Sequence, residues 1–187
     1  MCGRYYLADD INIEAFIERL KHRHDQQKLQ LFRTGEISPG QVAITYNSTG
    51  YELMRWNYQL FNRALINTRI ESIRDKDFYR SDYLNHKCLI IASGFYEWDS
   101  EKKKHYIRTA DRLLFLGAIY QENDDLNSFS IITKPASSTS SIHDRVPLVL
   151  NRDQSLEYLR GSYTIQQLID LRPEFSVEVT NQNMSLI

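Results

Sequence analysis

The most unusual chemistry open to this chain sits at Cys2. With Met1 removed, Cys2 would carry a free α-amine and a thiol on adjacent carbons, a pair no internal cysteine can offer. A terminal amine titrates near ~7.7–8.0 and a cysteine thiol near ~8.5, so in an open site both are partly nucleophilic at neutral pH. The electrophile that suits the pair is an aldehyde. The amine condenses to a Schiff base, the thiol adds to the imine carbon, and the resulting thiazolidine ring hydrolyses far less readily than an open imine. The plainer reading is a terminal strand whose small residue happens to be cysteine.

Three further stretches carry polar groups in patterns that chemistry can use. In "INTRIES", Asn67, Arg69 and Glu71 alternate, so on a strand an amide, a guanidinium and a carboxylate share one face while Thr68 and Ile70 share the other. In "ASGFYEWDS", Glu97 stands between Tyr96 and Trp98, a setting in which desolvation raises a carboxyl pKa and suits it to acid/base work. Alternation alone does not say whether Glu97 points inward or outward. In "SSTSSIHDRVPLVL", a Ser/Thr-rich loop delivers His143 to the mouth of an apolar strand, a common place for catalytic groups. The plainer alternatives are a solvated strand edge, simple strand alternation and a surface histidine.

These groups need a scaffold, and its elements are readable. "CGRYYL" reads as a first strand. Ile13, Phe16, Ile17 and Leu20 recur at helical spacing, with Asp9 or Asp10 as N-cap. His22 and His24, two apart on that segment, read as surface residues. "QLFRTGEISPGQ" reads as a loop, and "QVAITY" and "YELMRW" form a hairpin about "NSTG". A short helix is expected around Phe78–Leu84. The chain then turns β-rich through "CLIIAS", "FYEW", "HYIRTA", "LLFLGAIY", "FSIITK" and "VPLVL", with the Lys102–Lys104 run in a solvated turn. "DQSLEYLR" and "TIQQLIDL" read as helices, the second opened by a Thr164/Gln167 capping box, and "EFSVEV" as a closing strand. Strands without regular crossover helices imply an α+β fold with a curled, largely antiparallel, barrel-like sheet and peripheral helices.

Length and composition narrow the class. The 187 residues suit one domain (1–187) with a sizeable core. Hydrophobic residues at 42% and charged residues at 25% are those of a soluble globular protein. Two cysteines, Cys2 and Cys88, are too few for a disulfide framework, and no cluster has metal-ligand spacing. Asp9, Asp10, Glu14 and Glu18 exclude a secretory signal, and no apolar run reaches membrane-span length, so the cytoplasm is expected. A net charge of −1 argues against a generally basic nucleic-acid binder. Locally, though, Arg55–Arg80 holds six basic residues against three acidic ones, ground that could attract phosphate, the plainer reading being solvated surface arginines.

Taken together, Met1-Cys2-Gly3-Arg4, Asn67-x-Arg69-x-Glu71, Gly94-Phe95-Tyr96-Glu97-Trp98 and Ile142-His143-Asp144-Arg145-x-Pro147 occur in the order and spacing of one family. The sequence resembles the SOS response-associated peptidase (SRAP) family from Cys2 to about Leu150, with a fainter echo in "VEVTNQ". The resemblance implies a pseudo-barrel fold with a DNA groove, autoproteolytic loss of Met1, and a lyase-like covalent crosslink from Cys2 to abasic sites in single-stranded DNA. It implies Asn67 as the group positioning the amine and the opened sugar, Glu97 as the acid/base residue that also helps release Met1, and His143 as the promoter of ring opening and proton transfer. Arg4 and Arg69 would hold phosphates, and Trp56 and Trp98 would lie against bases or sugar. No cofactor, metal or membrane is implied, and the chain is expected to be monomeric.

The sequence departs from the family pattern between Trp56 and Ile66. Asn57 stands where the family has glycine, the proline and second tryptophan are absent, and Thr68 replaces alanine. Two other functions use the same residues: an N-terminal-nucleophile-style cysteine peptidase or amidohydrolase, and a non-covalent single-strand-binding module.

Overall fold

A computed structural model describes residues 2–9, 13–136 and 142–180, with the side chain of Ile13 set aside. Met1, the candidate cap Asp10, the Ser/Thr tract 137–141 and residues 181–182 of the closing echo lie outside the described residues.

In chain order the elements are β1 (Arg4–Leu7), α1 (Ile13–Leu20), α2 (Gln26–Leu29), β2 (Gly35–Ile37), β3 (Val42–Asn47), β4 (Gly50–Arg55), β5 (Tyr58–Leu60), β6 (Arg63–Leu65) and β7 (Asn67–Arg69). Then come α3 (Ile70–Asp75), α4 (Asp77–Asn85), β8 (Lys87–Ala92), β9 (Gly94–Trp98), β10 (Lys104–Arg108), β11 (Leu114–Gln121) and β12 (Ser128–Pro135). The chain closes with β13 (Arg145–Pro147), β14 (Val149–Leu150), α5 (Arg152–Arg160), α6 (Ile165–Asp170) and β15 (Ser176–Val179).

The expected α+β architecture with a curled sheet is what the chain adopts. Strands β12, β4, β3, β8 and β11 pair in that order, and β11 pairs back onto β12, so the larger sheet closes into a ring. Closure removes the unpaired edges of the ring strands. Most of its pairings are antiparallel; β12 runs parallel to β4 and to β7. A second, antiparallel sheet of order β15-β10-β9-β1-β2 shares its core with the ring. Tyr5, Phe95 and Ile107 from the smaller sheet pack with Met54, Trp56, Ile90 and Phe129 from the larger. Helices α3 to α6 cover another part of the ring through Ile70, Ile73, Tyr79, Tyr83, Tyr158 and Leu168.

Several local expectations hold for the reasons that suggested them. The β3–β4 hairpin pairs Asn47 with Gly50. Helix α6 opens with the expected Thr164/Gln167 capping box; α5, expected only as a helix, has a box of its own, Asn151/Gln154, and stops at Gly161, whose φ of 75° suits glycine. Leu20 is buried on the inner side of α1. Other expectations are corrected. The "loop" 30–41 contains β2, because Gly35–Ile37 pairs with β1. His24 is half-buried and its Nε2 accepts the Leu53 amide at 3.0 Å, so only His22 is a surface residue. Lys104 belongs to β10 and not to the turn; its Nζ lies 2.5 Å from Glu36 and 4.0 Å from the Tyr96 ring centroid.

Two buried features fix how the sheets meet their neighbours. Lys134 Nζ donates to the Leu168, Ile169 and Leu171 carbonyls, tying the end of α6 to the ring, and its burial pulls its pKa down to about 8. Gly94 lies under the Tyr106 ring: a Cβ there would stand 2.5 Å from two ring carbons. Gly94→Ala is therefore expected to cost roughly 1–3 kcal/mol by displacing Tyr106, read as a lower midpoint in urea unfolding. An unchanged midpoint would show that the ring moves aside freely.

Candidate active site

The four residues singled out for chemistry come from four places and meet where the two sheets join. The smaller sheet supplies Cys2 and Glu97. Strands β1 and β9 pair Arg4 with Tyr96, and the same register, run one step further, sets Glu97 opposite Gly3 and beside Cys2. Alternation along β9 turns Phe95 and Glu97 inward and leaves Tyr96 and Trp98 on the outer face. The larger sheet supplies the other two. Strand β12 pairs with β7 through Ile131 and Asn67, and with β13 through Pro135 and Arg145. It is thus the common neighbour of Asn67 and of the segment led by His143.

One further contact locks that arrangement. Arg145 makes a two-pronged pair with Glu71, at 3.0 and 2.9 Å, and also donates to the Thr133 carbonyl at 2.8 Å. The Arg145 hydrogen bonds hold the Glu71 carboxyl below its ordinary pKa. Glu71 does this from α3, not from a strand shared with Asn67 and Arg69, because the strand ends at Arg69 and the helix begins at Ile70. The expected three-residue polar face is therefore a two-residue one. What sequence reading missed is that Glu71 and Arg145, both inside recognised motifs, are partners of one another.

Around Cys2 the contacts are specific. Asn67 Nδ2 donates to the Cys2 carbonyl at 2.8 Å, while Asn67 Oδ1 is buried and has no hydrogen-bond partner among the described residues. Cys2 Sγ lies 3.8 Å from the Arg4 carbonyl. Cys2 has no exposed surface and Glu97 is 1% exposed. Burial, reinforced by the Glu97 charge, pushes the Cys2 thiol far above its ordinary range. Burial also raises the Glu97 carboxyl, with the charge of His143 pulling the other way.

This corrects the picture of a lightly perturbed terminal thiol. Here the sulfur is a protonated S–H at neutral pH, because a thiolate would lose its hydration and face a carboxylate. The His143 ring receives two competing contacts. The Arg145 amide donates to Nδ1 at 3.0 Å, which needs a bare nitrogen, while Asp144 Oδ1 lies 2.7 Å from the same atom, which needs a proton there.

The four residues expected on DNA are placed less uniformly. Arg69 is exposed and Trp98 is half-exposed on the outer face. Arg4 is half-buried and already engaged, with Nε 3.4 Å from Glu36 and a hydrogen bond to Ser38. Trp56 is in the wrong place for a base. It is wholly buried, its ring stacks at 10° on Phe129, and its Nε1 donates to the Ile66 carbonyl at 2.8 Å. Its indole is a core wedge between the two sheets. Among the described residues no group of three His, Cys, Asp or Glu side chains could hold a metal ion, and no helix is long and apolar enough to cross a membrane.

A ring-closed sheet with a second sheet laid across it, and an N-terminal cysteine flanked by an amide, a buried acid and a histidine, define a distinctive class of fold and site. The chain belongs to the SOS response associated peptidase (SRAP) family, whose profile matches residues 1–184. Among curated proteins it is 26% identical to the abasic site processing protein YoqW of Bacillus subtilis, over 88% of this chain and 82% of that one. It is 24% identical to the abasic site processing protein YMR114C of Saccharomyces cerevisiae, over 94% of this chain and 61% of that protein's length. Over a shorter stretch, 51% of this chain and 47% of the other, it is 30% identical to YedK of Escherichia coli, also called an abasic site processing protein. Among solved structures, a protein of Bacteroides thetaiotaomicron superposes with a TM-score of 0.75 at 17% identity, covering 97% of this chain and 93% of that one. A phage-related protein of Bordetella bronchiseptica does so at 0.72 and 22%, covering 97% and 95%. These two likenesses concern the fold.

Proposed function

We propose that the protein, once Met1 has been removed, captures abasic sites in single-stranded DNA as a covalent thiazolidine on Cys2. The observation that carries this reading is the Asn67 amide fixed on the Cys2 carbonyl, with a buried acid beside the same thiol. The names of the curated relatives support the choice of substrate.

The steps follow from the groups in place. Hydrolysis of the Met1–Cys2 bond, assisted by Glu97, makes the α-amine and opens the approach to Cys2. An abasic sugar equilibrates with its ring-opened aldehyde, a step helped by His143 passing a proton to the ring oxygen. The amine attacks first, an order favoured by the burial that raises the thiol. Asn67 Oδ1, which has no hydrogen-bond partner among the described residues, accepts from the incoming nitrogen or from a sugar hydroxyl. Glu97 supplies the proton with which the carbinolamine oxygen leaves as water. The S–H then adds across the C=N bond, sulfur to carbon and hydrogen to nitrogen, closing the ring.

Binding to the strand falls to Arg69 and Arg4 for phosphate and to the half-exposed ring of Trp98, which Lys104 Nζ overlies at 5.7 Å from the centroid, for stacking. Such contacts tolerate any sequence, and stacking contributes about 1–3 kcal/mol per base. Arg4 must exchange Glu36 for a phosphate, so its share is the most sensitive to salt.

The test is covalency. Mature protein mixed with an abasic-site oligonucleotide is expected to give a species that survives denaturation, with a mass equal to the sum of the two less one water. Turnover of added peptides without any adduct would identify a peptidase instead, and no adduct at all would leave only a binding module.

A further inference from the structure

Directly across the β9–β10 ladder from Glu97 stands His105. Both side chains point to the inner face, and His105 is only 9% exposed. Its Nε2 lies 2.7 Å from Asp99 Oδ2. Asp99 is fixed in turn at the hairpin tip, where Oδ1 accepts the Glu101 and Lys103 amides, each at 2.9 Å. The other ring nitrogen, Nδ1, is buried and has no hydrogen-bond partner among the described residues. A histidine that served packing alone would be cheaper as phenylalanine, since a buried polar atom left unpaired is costly. The Asp99 carboxyl is held below its ordinary pKa by His105. It is therefore ionised and accepts the Nε2 proton, and in the neutral ring that tautomer leaves Nδ1 an acceptor.

We propose that His105, clamped by Asp99, is a positioning residue for Glu97 that carries protons between its buried carboxyl and the surface. The proposal rests on reading Glu97 as the acid/base group. Nδ1 is hydrogen-bonded to no described residue, Glu97 included, so the relay requires the two cross-strand side chains to close on one another. The Glu97 carboxylic proton then passes to His105 Nδ1 while the Nε2 proton passes to Asp99 and on to water. The reverse transfer reloads Glu97 and restores the starting tautomer. Among the described residues, His105 is faced by Glu97 from β9, Asp99 from the turn, the apolar Val179 from β15 and Ile107 along its own strand. Lys104 and Glu178 lie on the opposite face by alternation. His143 and Asp144 act on Glu97 from the ring side.

The experiment has two arms on the full chain. In the first, mature protein reacts with an abasic-site oligonucleotide from about pH 5.5 to 8.5. His105→Phe is expected to slow adduct formation by about tenfold, to change the pH profile, and to leave DNA affinity unchanged. Imidazole added to the buffer should restore part of the rate. A parental rate and pH profile in His105→Phe would overturn the proposal. Should that variant fail to fold, His105→Gln serves the same arm.

The second arm uses no DNA. Nitrogen NMR of the imidazole should show His105 Nδ1 following the Glu97 titration, and losing that response in Glu97→Gln. A resonance indifferent to Glu97 overturns the relay whatever the crosslinking result. A resonance that follows Glu97, in a protein that forms no adduct, upholds the relay and removes only the proposed activity.

Discussion

A Cys2→Ser variant, matured to expose its terminal amine, is expected to bind abasic-site DNA as the parent does and to yield no adduct that survives denaturation. Serine keeps the nitrogen and the size of the side chain but replaces the S–H with a hydroxyl. The imine still forms, and the oxygen analogue of the ring reverts, so denaturation releases the DNA. Borohydride, which reduces an imine to a stable amine, should rescue the crosslink in this variant. That rescue is the sharpest check on the order of events. Burial raises the Cys2 thiol and so favours attack by nitrogen before sulfur, and an imine trapped without any thiol shows that the amine condenses unaided. Failure of borohydride to trap anything would mean that sulfur leads.

Glu97→Gln is expected to have opposite effects on activity and on stability. Glutamine fills the same space and cannot exchange a proton. Mass spectrometry should find Met1 retained in the purified chain. With a pre-matured terminus, adduct formation should slow by about 10²–10⁴-fold, the usual contribution of a positioned acid/base group. Stability moves the other way. Burial raises the Glu97 pKa in the fold, so the folded state binds that proton more tightly than the unfolded chain does. The stability this gives is complete below the unfolded carboxyl pKa and declines as pH rises through the folded value. Glutamine removes the decline. Calorimetry should therefore show a gain in Tm for Glu97→Gln that is small near pH 5 and grows toward pH 8. A gain independent of pH would place the cause elsewhere, and a loss at every pH would show that the carboxylate is stabilised in place.

The elements were largely legible because their signals are local. A 3.6-residue apolar period, a Ser/Thr/Asn/Asp cap and a glycine at a left-handed stop act within one or two turns of chain. Thus α5, α6 and the β3–β4 hairpin lie where their residues placed them. Position within a motif misled where a boundary depended on packing. Ile70 begins a helix because it and Ile73 are buried against the ring, and that took Glu71 off the strand face it was expected to share. Trp56 misled most. An indole among arginines is equally compatible with a base platform and with a core, and only Phe129 and the Ile66 carbonyl decide for the core.

The sequence alone determined which groups are present and in what order: a cysteine behind the first residue, an amide, an acid among aromatics and a histidine at a strand mouth. It also determined the family, through four motifs in register. Tertiary structure alone decided that Glu97 faces inward, that the Cys2 sulfur is sealed and protonated, that Arg145 holds Glu71, and that His105 stands behind the acid. The reason is physical. Residue identity fixes what a side chain can donate, accept or titrate. The surrounding dielectric and the partner across a sheet fix which of these it does, and both are supplied from far along the chain: Asn67, Glu97 and His143 stand 65, 95 and 141 positions from Cys2.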